Sequence, residues 1–168
     1  MKVVRILFLA AGVLAMAGCG AATATPSVSS STPTPIDVAG AQRAALGLFV
    51  ADFPGHWVAC SNSDNWAGCP LSAAVKVRLA DLTSKGYFGD ASGCGEEYIS
   101  GTQNGFNNAP QVLSAVAGGN GSVTVVIQRS SSSNLTAVMT TENATWLASD
   151  LASGAGLAAS IFSAKPNC

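Results

Sequence analysis

SVTVVIQR, residues 122–129, alternates in period two: Val123, Val125 and Ile127 share one face, and Thr124 and Gln128 share the other. Successive strand side chains point to opposite faces, so this stretch predicts a half-buried β-strand. The neighbours on either side extend it into a sheet. Gly118 to Gly121 form a turn before the strand, and Pro110 to Ala117 are its predicted partner. Ser130 to Ser133 make a hairpin loop leading into a strand over Leu135 to Thr141. Glu142-Asn143 turn the chain into Thr145 to Leu151, and Ala159 to Ala164 are expected to add a last edge strand.

Upstream of this meander the pattern changes to helical. Leu46, Phe49, Val50 and Phe53 recur at i, i+3, i+4 and i+7, a stripe of helical period. Asp37 supplies an N-cap after Pro35, and Pro54-Gly55 provide the stop. A second helix is expected to open at Pro70, with Leu71, Val75, Leu79 and Leu82 on one face and Lys85-Gly86 as its end. Helices first and an antiparallel meander after them make an α+β domain, its helices covering one face of a sheet of four to five strands.

Further upstream the chain opens MKVVRILFLAAGVLAMAGCG. Lys2 and Arg5 form a basic start, Ile6 to Met16 are uncharged and mostly apolar, and Met16-Ala17-Gly18 lead into Cys19. This is the layout of a secretory signal peptide. The apolar run falls short of the roughly 20 residues of a membrane span. A cysteine at the cut resembles the bacterial lipobox, with Met16 in place of the usual leucine. The resemblance implies removal of residues 1–18 and acylation of Cys19, palmitate included, as the new N-terminus. Two or three acyl chains anchor a protein stably, where one does so only marginally. The expected location is therefore the extracytoplasmic face of the cell membrane. Residues 19–36, rich in Ala, Ser, Thr and Pro, cannot bury enough surface to offset their ordering entropy and read as a tether. Residues 37–168 form one domain of ordinary size.

Charge narrows the partners. The chain has eight Lys and Arg against nine Asp and Glu. Loss of Lys2 and Arg5 with the leader leaves six bases against nine acids, a net charge of about −3 with no basic patch, which argues against nucleic-acid binding. Asn120, Asn134 and Asn143 lie in N-x-Ser/Thr triplets, which the bacterial leader makes unused acceptors.

Four cysteines remain in the exported domain: Cys60, Cys69, Cys94 and Cys168. Neither a C-x-x-C redox pair nor paired zinc-ligand spacing occurs, and no metal or cofactor is expected. An even number in an oxidising compartment predicts two disulfides. Three connectivities are open; we favour Cys60–Cys69, closing CSNSDNWAGC between the helices, with Cys94–Cys168. In that loop Asn62, Asp64 and Asn65 face solvent, and Trp66 folds back on the domain.

Few residues carry chemistry. His56, the one histidine, follows Pro54-Gly55, and a lone loop histidine is more often a hydrogen-bond partner than a base. Glu96-Glu97 are adjacent, and on an extended segment they point apart. Asp150 shares a strand side with Trp146 and Ala148, where it could serve as a base or satisfy the donors of a bend. No Ser-His-Asp set and no phosphate-binding glycine loop is present.

Cys69-Pro70-Leu71 opening a helix, Gln103-Asn104 before the first meander strand, and Trp146-Leu147 with Asp150 together resemble the cone-shaped NTF2-like (cystatin-like) domains. The resemblance implies a curved antiparallel sheet wrapped around helices, with a pocket at the wide end. That family includes isomerases and dehydratases, assembly modules that dimerise through the open sheet face, and domains of unknown ligand. We expect a non-catalytic module for a small apolar ligand or an envelope protein; Phe49, Phe53, Trp57, Trp66 and Trp146 are the aromatics available to line a pocket, though each is more often ordinary core or loop packing. The alternatives are an isomerase- or dehydratase-like enzyme using Asp150 or His56, and a structural homodimer.

Overall fold

The computed structural model describes residues 35–61, 66–86, 98–102, 104–130, 133–153 and 159–163. Within them the order is α1 (Val38–Leu46), β1 (Phe49–Phe53), β2 (His56–Ala59), α2 (Ala73–Ser84), β3 (Phe106–Asn107), β4 (Gln111–Ala117), β5 (Val123–Ser130), β6 (Ser133–Glu142) and β7 (Thr145–Ser153). The class is α+β. Two antiparallel sheets stand where one was expected: a four-stranded meander in the order β4-β5-β6-β7 and a smaller sheet in the order β1-β2-β3.

The meander follows the alternation of its sequence. Val123, Val125 and Ile127 are fully buried, as are Leu135, Ala137 and Met139 opposite them on β6. Helix α1 lies across all four strands of this sheet. It can do so because its inward residues are small: Ala41 and Ala45 let the helix axis approach, and Leu48 fills the end. Gly40 makes the closest approach; a Cβ there would sit 2.9 Å from the indole nitrogen of Trp146. Asp37 caps the helix as expected, its carboxylate accepting the Gly40 N–H at 2.8 Å.

Helix α1 stops earlier than its apolar stripe suggested. Gly47 is the C-cap, and Phe49, Val50 and Phe53 belong to β1. Aromatic and β-branched side chains fit a pleated surface, and Pro54-Gly55, with Gly55 at φ +83°, form the two-residue turn of a hairpin and not a helix stop. The Cys60 N–H donates to the Leu48 carbonyl at 2.8 Å, continuing the hairpin to the cysteine. Cys60 and Cys69 are disulfide-bonded, with Cα atoms 5.4 Å apart. Trp66 is buried, as the loop reading predicted. Asn62, Asp64, Asn65, Cys94, Cys168, Cys19, Glu96 and Glu97 lie outside the described residues.

Helix α2 also starts later than expected. Pro70 and Ser72 pair with β7: the Ala148 N–H donates to the Pro70 carbonyl at 2.8 Å, and the Ser72 N–H donates to the Ala148 carbonyl at 2.9 Å. These bonds hold Pro70-Leu71 extended, so Ser72 becomes the N-cap, its hydroxyl accepting the Val75 N–H. Val75, Leu79 and Leu82 face the core as predicted, and Gly86, at φ +68°, ends the helix.

The last expected strand is absent. Ala159 to Ser163 form a turn whose Ile161 N–H donates to the Leu151 carbonyl at 2.7 Å, and Ala164 lies outside the described residues. This turn and the Pro70–Ser72 segment together blunt the outer edge of β7. On the other edge, β4 carries a bulge between Val112 and Ser114, and Leu113 and Val116 are exposed.

Candidate functional site

The inner face of the meander holds packed side chains. The aromatics considered for a pocket do other work: Phe49 meets Phe106 edge-on at 5.7 Å, Trp66 is buried beside the disulfide, and Trp57 and Trp146 pack on the core. Among the described residues two concave regions stand at the surface.

The first is a polar cleft of about 340 Å³ between the β1–β2 hairpin and the loop entering β3. His56 begins β2, and its Nδ1–H donates to Asp52 Oδ1 at 2.6 Å. Backbone register creates this pair. Ala51 pairs with Trp57 and Phe53 with His56, so Asp52 is the extra residue of a bulge. A bulge redirects a side chain that a regular strand would aim elsewhere. Phe53 lies flat on the imidazole, with centroids 4.4 Å apart and planes 3° from parallel, and so holds the ring's orientation. A desolvation penalty pushes the Asp52 carboxyl up. The hydrogen bond and charge of His56, with the Phe53 N–H, outweigh it and hold the group below the ordinary carboxylate range.

The opposite wall, the 98–102 loop, is held in place by Arg129, whose partners nothing in the sequence indicated. Arg129 is buried in the core's polar corner, donating from Nη1 to the Tyr98 and Ile99 carbonyls, both at 3.0 Å. Its Nη2 donates to Ser133 Oγ, the Asn134 carbonyl and Ser153 Oγ. The guanidinium thus joins the 98–102 loop to β6 and β7. Gly101, at φ +65°, permits the contact, since a Cβ there would lie 2.7 Å from the guanidinium carbon. Ser100 and Thr102 on this loop line the cleft with Ser61, Asn104 and Gly105. Thr102 donates to the Gly105 carbonyl at 2.8 Å, and Gly105, at φ +76°, lets the chain pass against Trp57 and His56. An imidazole tied through Nδ1 to a carboxylate presents Nε2 either as a general base or as a plain hydrogen-bonding atom.

The second region is an apolar groove of about 560 Å³, lined by Ala73, Ala74, Val77, Arg78, Asp81 and Phe162. Val77 is 71% exposed on α2, and Phe162 is 46% exposed on the facing turn. Arg78 ties the two walls together: Nε donates to the Ile161 carbonyl at 2.9 Å and Nη2 to the Ser163 carbonyl at 2.7 Å, while Nη1 pairs with Asp81 at 2.8 Å. Lys85 also bonds Asp81; its hydrogen bond holds that carboxyl low against a desolvation penalty, and its charge and Arg78 add to the effect.

Asp150 serves a bend, one of the two roles its position suggested. Its Oδ1 accepts from Ser160 Oγ at 2.8 Å and from the Leu151 and Ile161 N–H groups, fixing the turn that carries Phe162. The predicted strand sides also change. Met139 pairs with Ala148 and Val138 with Asp150, so Ser149 is a bulge, and Ala148 and Leu151 both point inward.

Asp52 stands four residues before His56 across a Pro-Gly turn, but a regular two-residue hairpin would place the two side chains on opposite faces, and only the bulge brings them together. Arg129 continues the buried phase of Val123, Val125 and Ile127, but nothing local marks its partners. Among the described residues no three His, Cys, Asp or Glu side chains gather as metal ligands, and no helix is long and apolar enough to cross a membrane. The chain matches no protein-family model, no curated protein and no solved structure.

Proposed function

We propose that this chain is an exported, lipid-anchored, non-catalytic binding module of the bacterial envelope, and that its recognition surface is the apolar groove between α2 and the 160–163 turn. The observation that carries the reading is the pair Val77 and Phe162, exposed side by side and held in register by Arg78. Exposed apolar side chains gathered around a concavity mark interaction surfaces more than chance exposure does. The groove opens to solvent along its length, so a small apolar ligand would leave one side in water. A partner protein brings its own cover. Asp81 pairs with both Arg78 and Lys85 and offsets one of their two positive charges, which favours a partner segment that is apolar at the point of contact and neutral or acidic at its edge.

A helix across a four-stranded antiparallel meander, with a hairpin and second helix inserted between, supports an NTF2-like reading of the domain. The filled inner face supports recognition on the surface over a ligand held in a cone. The order of basic, apolar and small residues before Cys19 supports the anchor, with residues 19–36 as tether.

Two measurements test this. Mass analysis of the mature chain should find acyl groups on Cys19, and Cys19→Ala should release the protein from membranes. Crosslinking in intact cells should yield a defined adduct with one envelope protein. Val77→Glu and Phe162→Ser should each abolish that adduct while melting like the parent. An adduct indifferent to both substitutions would remove the groove from the reading, and an adduct of two copies of this chain would replace the heterologous partner with a homodimer.

A further inference from the structure

The polar cleft, formed by the β1–β2 hairpin with residues 98–102 and 104–105, shares no lining residue with the apolar groove and has its own chemistry. We propose that it binds a neutral polyhydroxylated ligand, a sugar, with Asp52 and Asn104 as its anchors.

Charge selects the class first. Among the described residues no Lys or Arg lines the cleft, so an anionic ligand finds no fixed cation there, and His56 Nδ1 is turned to Asp52. A cationic ligand would have to compete with the imidazole, which already occupies Asp52 Oδ1 at 2.6 Å. A neutral ligand meets no such mismatch. Hydrogen-bonding capacity then narrows the choice. Asp52 Oδ1 is engaged by His56 and the Phe53 N–H, which leaves Oδ2 as an acceptor. Ser61 presents a hydroxyl, Thr102 Oγ1, its proton given to the Gly105 carbonyl, presents an acceptor, and Asn104 presents an amide with both donors and an acceptor. Such mixed groups suit ligand hydroxyls, each of which donates one bond and accepts others. The volume, about 340 Å³, lies at the small end of the range for small-molecule sites, about 300–1,000 Å³.

The site is also built in advance. The Asp52 bulge, the Pro54-Gly55 turn, the Phe53 ring on His56, the Gly105 close approach and the Arg129 clamp each fix one wall. Binding to groups already held in place loses less entropy than binding to groups that must first be ordered.

The test is ligand-observed NMR saturation transfer on the full chain in a detergent without a sugar headgroup. The probes are glucose, mannose, galactose and arabinose, with glucuronate and putrescine as charged controls. At least one neutral sugar should receive saturation, with neither control doing so. Asp52→Asn and the double variant Ser61→Ala/Asn104→Ala should each weaken that binding about tenfold or more, the loss of roughly one well-made hydrogen bond to a charged or polar anchor. The double variant leaves the Asp52–His56 pair intact, so it reports even where Asp52→Asn perturbs the hairpin. Val77→Glu should leave sugar binding unchanged, which separates this site from the groove. Silence from all four sugars, preference for glucuronate or putrescine, or binding unaffected by the double variant would overturn the proposal.

Discussion

His56 Nδ1 sits 2.6 Å from Asp52 Oδ1 because Asp52 is the unpaired residue of a bulge at the end of β1. The contact joins two residues four apart, a spacing typical of a helix turn, and here a hairpin produces it. The folded carboxyl is held below the ordinary value of 3.8. A depressed folded pKa stabilises the fold above the unfolded value and loses that contribution as pH falls through the folded one. Asp81, lowered by Lys85 and Arg78, acts in the same direction. The urea midpoint should therefore decline as pH drops below about 4, and an Asp52→Asn/Asp81→Asn variant should show a shallower decline. An identical acid limb in the variant would assign the loss to other carboxylates.

Tyr98 sets the alkaline limit. Burial raises its phenol to about 12; a backbone hydrogen bond at Ser153 opposes the rise, the charge of Asp150 adds to it and Arg129 opposes it further. A raised folded pKa contributes stability that is complete below the unfolded value of 10.0 and disappears as pH climbs through the folded one. Stability should fall between about pH 10 and 12, by roughly 2–3 kcal/mol, and Tyr98→Phe should flatten that fall. Chemical denaturation at stepped pH, with phenolate absorbance as the titration signal, checks both statements.

The β6–β7 turn carries local strain. Asn143 and Ala144 stand at φ +51° and +62°, the positive values that a two-residue hairpin turn requires at both positions. Asn tolerates that region, and Ala does not. Ala144→Gly should stabilise the domain by about 0.5–1 kcal/mol, the strain relieved less the extra unfolded-state entropy of glycine. Thermal melting of the two proteins decides it.

Arg129 is a structural hub. Arg129→Met should cost about 2–5 kcal/mol, because buried carbonyls at Tyr98, Ile99 and Asn134 lose their donor. Arg129→Lys should recover only part, since one ammonium cannot span both groups of acceptors. Amide exchange should quicken at 98–102 in both variants, ahead of the meander.

The Cys60–Cys69 bond closes a short loop. Replacing both residues with serine should cost about 2–3 kcal/mol in the chain-entropy picture. Equilibrium unfolding with and without reductant measures it.

The meander was readable because its period-two pattern coincides with one buried face, and the first helix cap was readable because Asp37 acts within one turn. The switch at Phe49 was not. Leu46, Phe49, Val50 and Phe53 satisfy helical spacing, and only pairing with His56–Ala59 shows them extended. The same holds at Pro70, where two bonds to Ala148 delay a helix that local preference would start sooner.

The α+β class, the order of the four meander strands, the buried face of β5 and the residues available to close the Cys60 loop can all be read from the chain before it folds. Those follow from local periodicity and turn chemistry. Tertiary structure alone decided the bulges at Asp52 and Ser149, the Arg78 and Arg129 clamps and, through them, both concave surfaces. Each depends on backbone partners 30 to 85 residues away or on a one-residue slip in register, and neither leaves a mark in the local pattern.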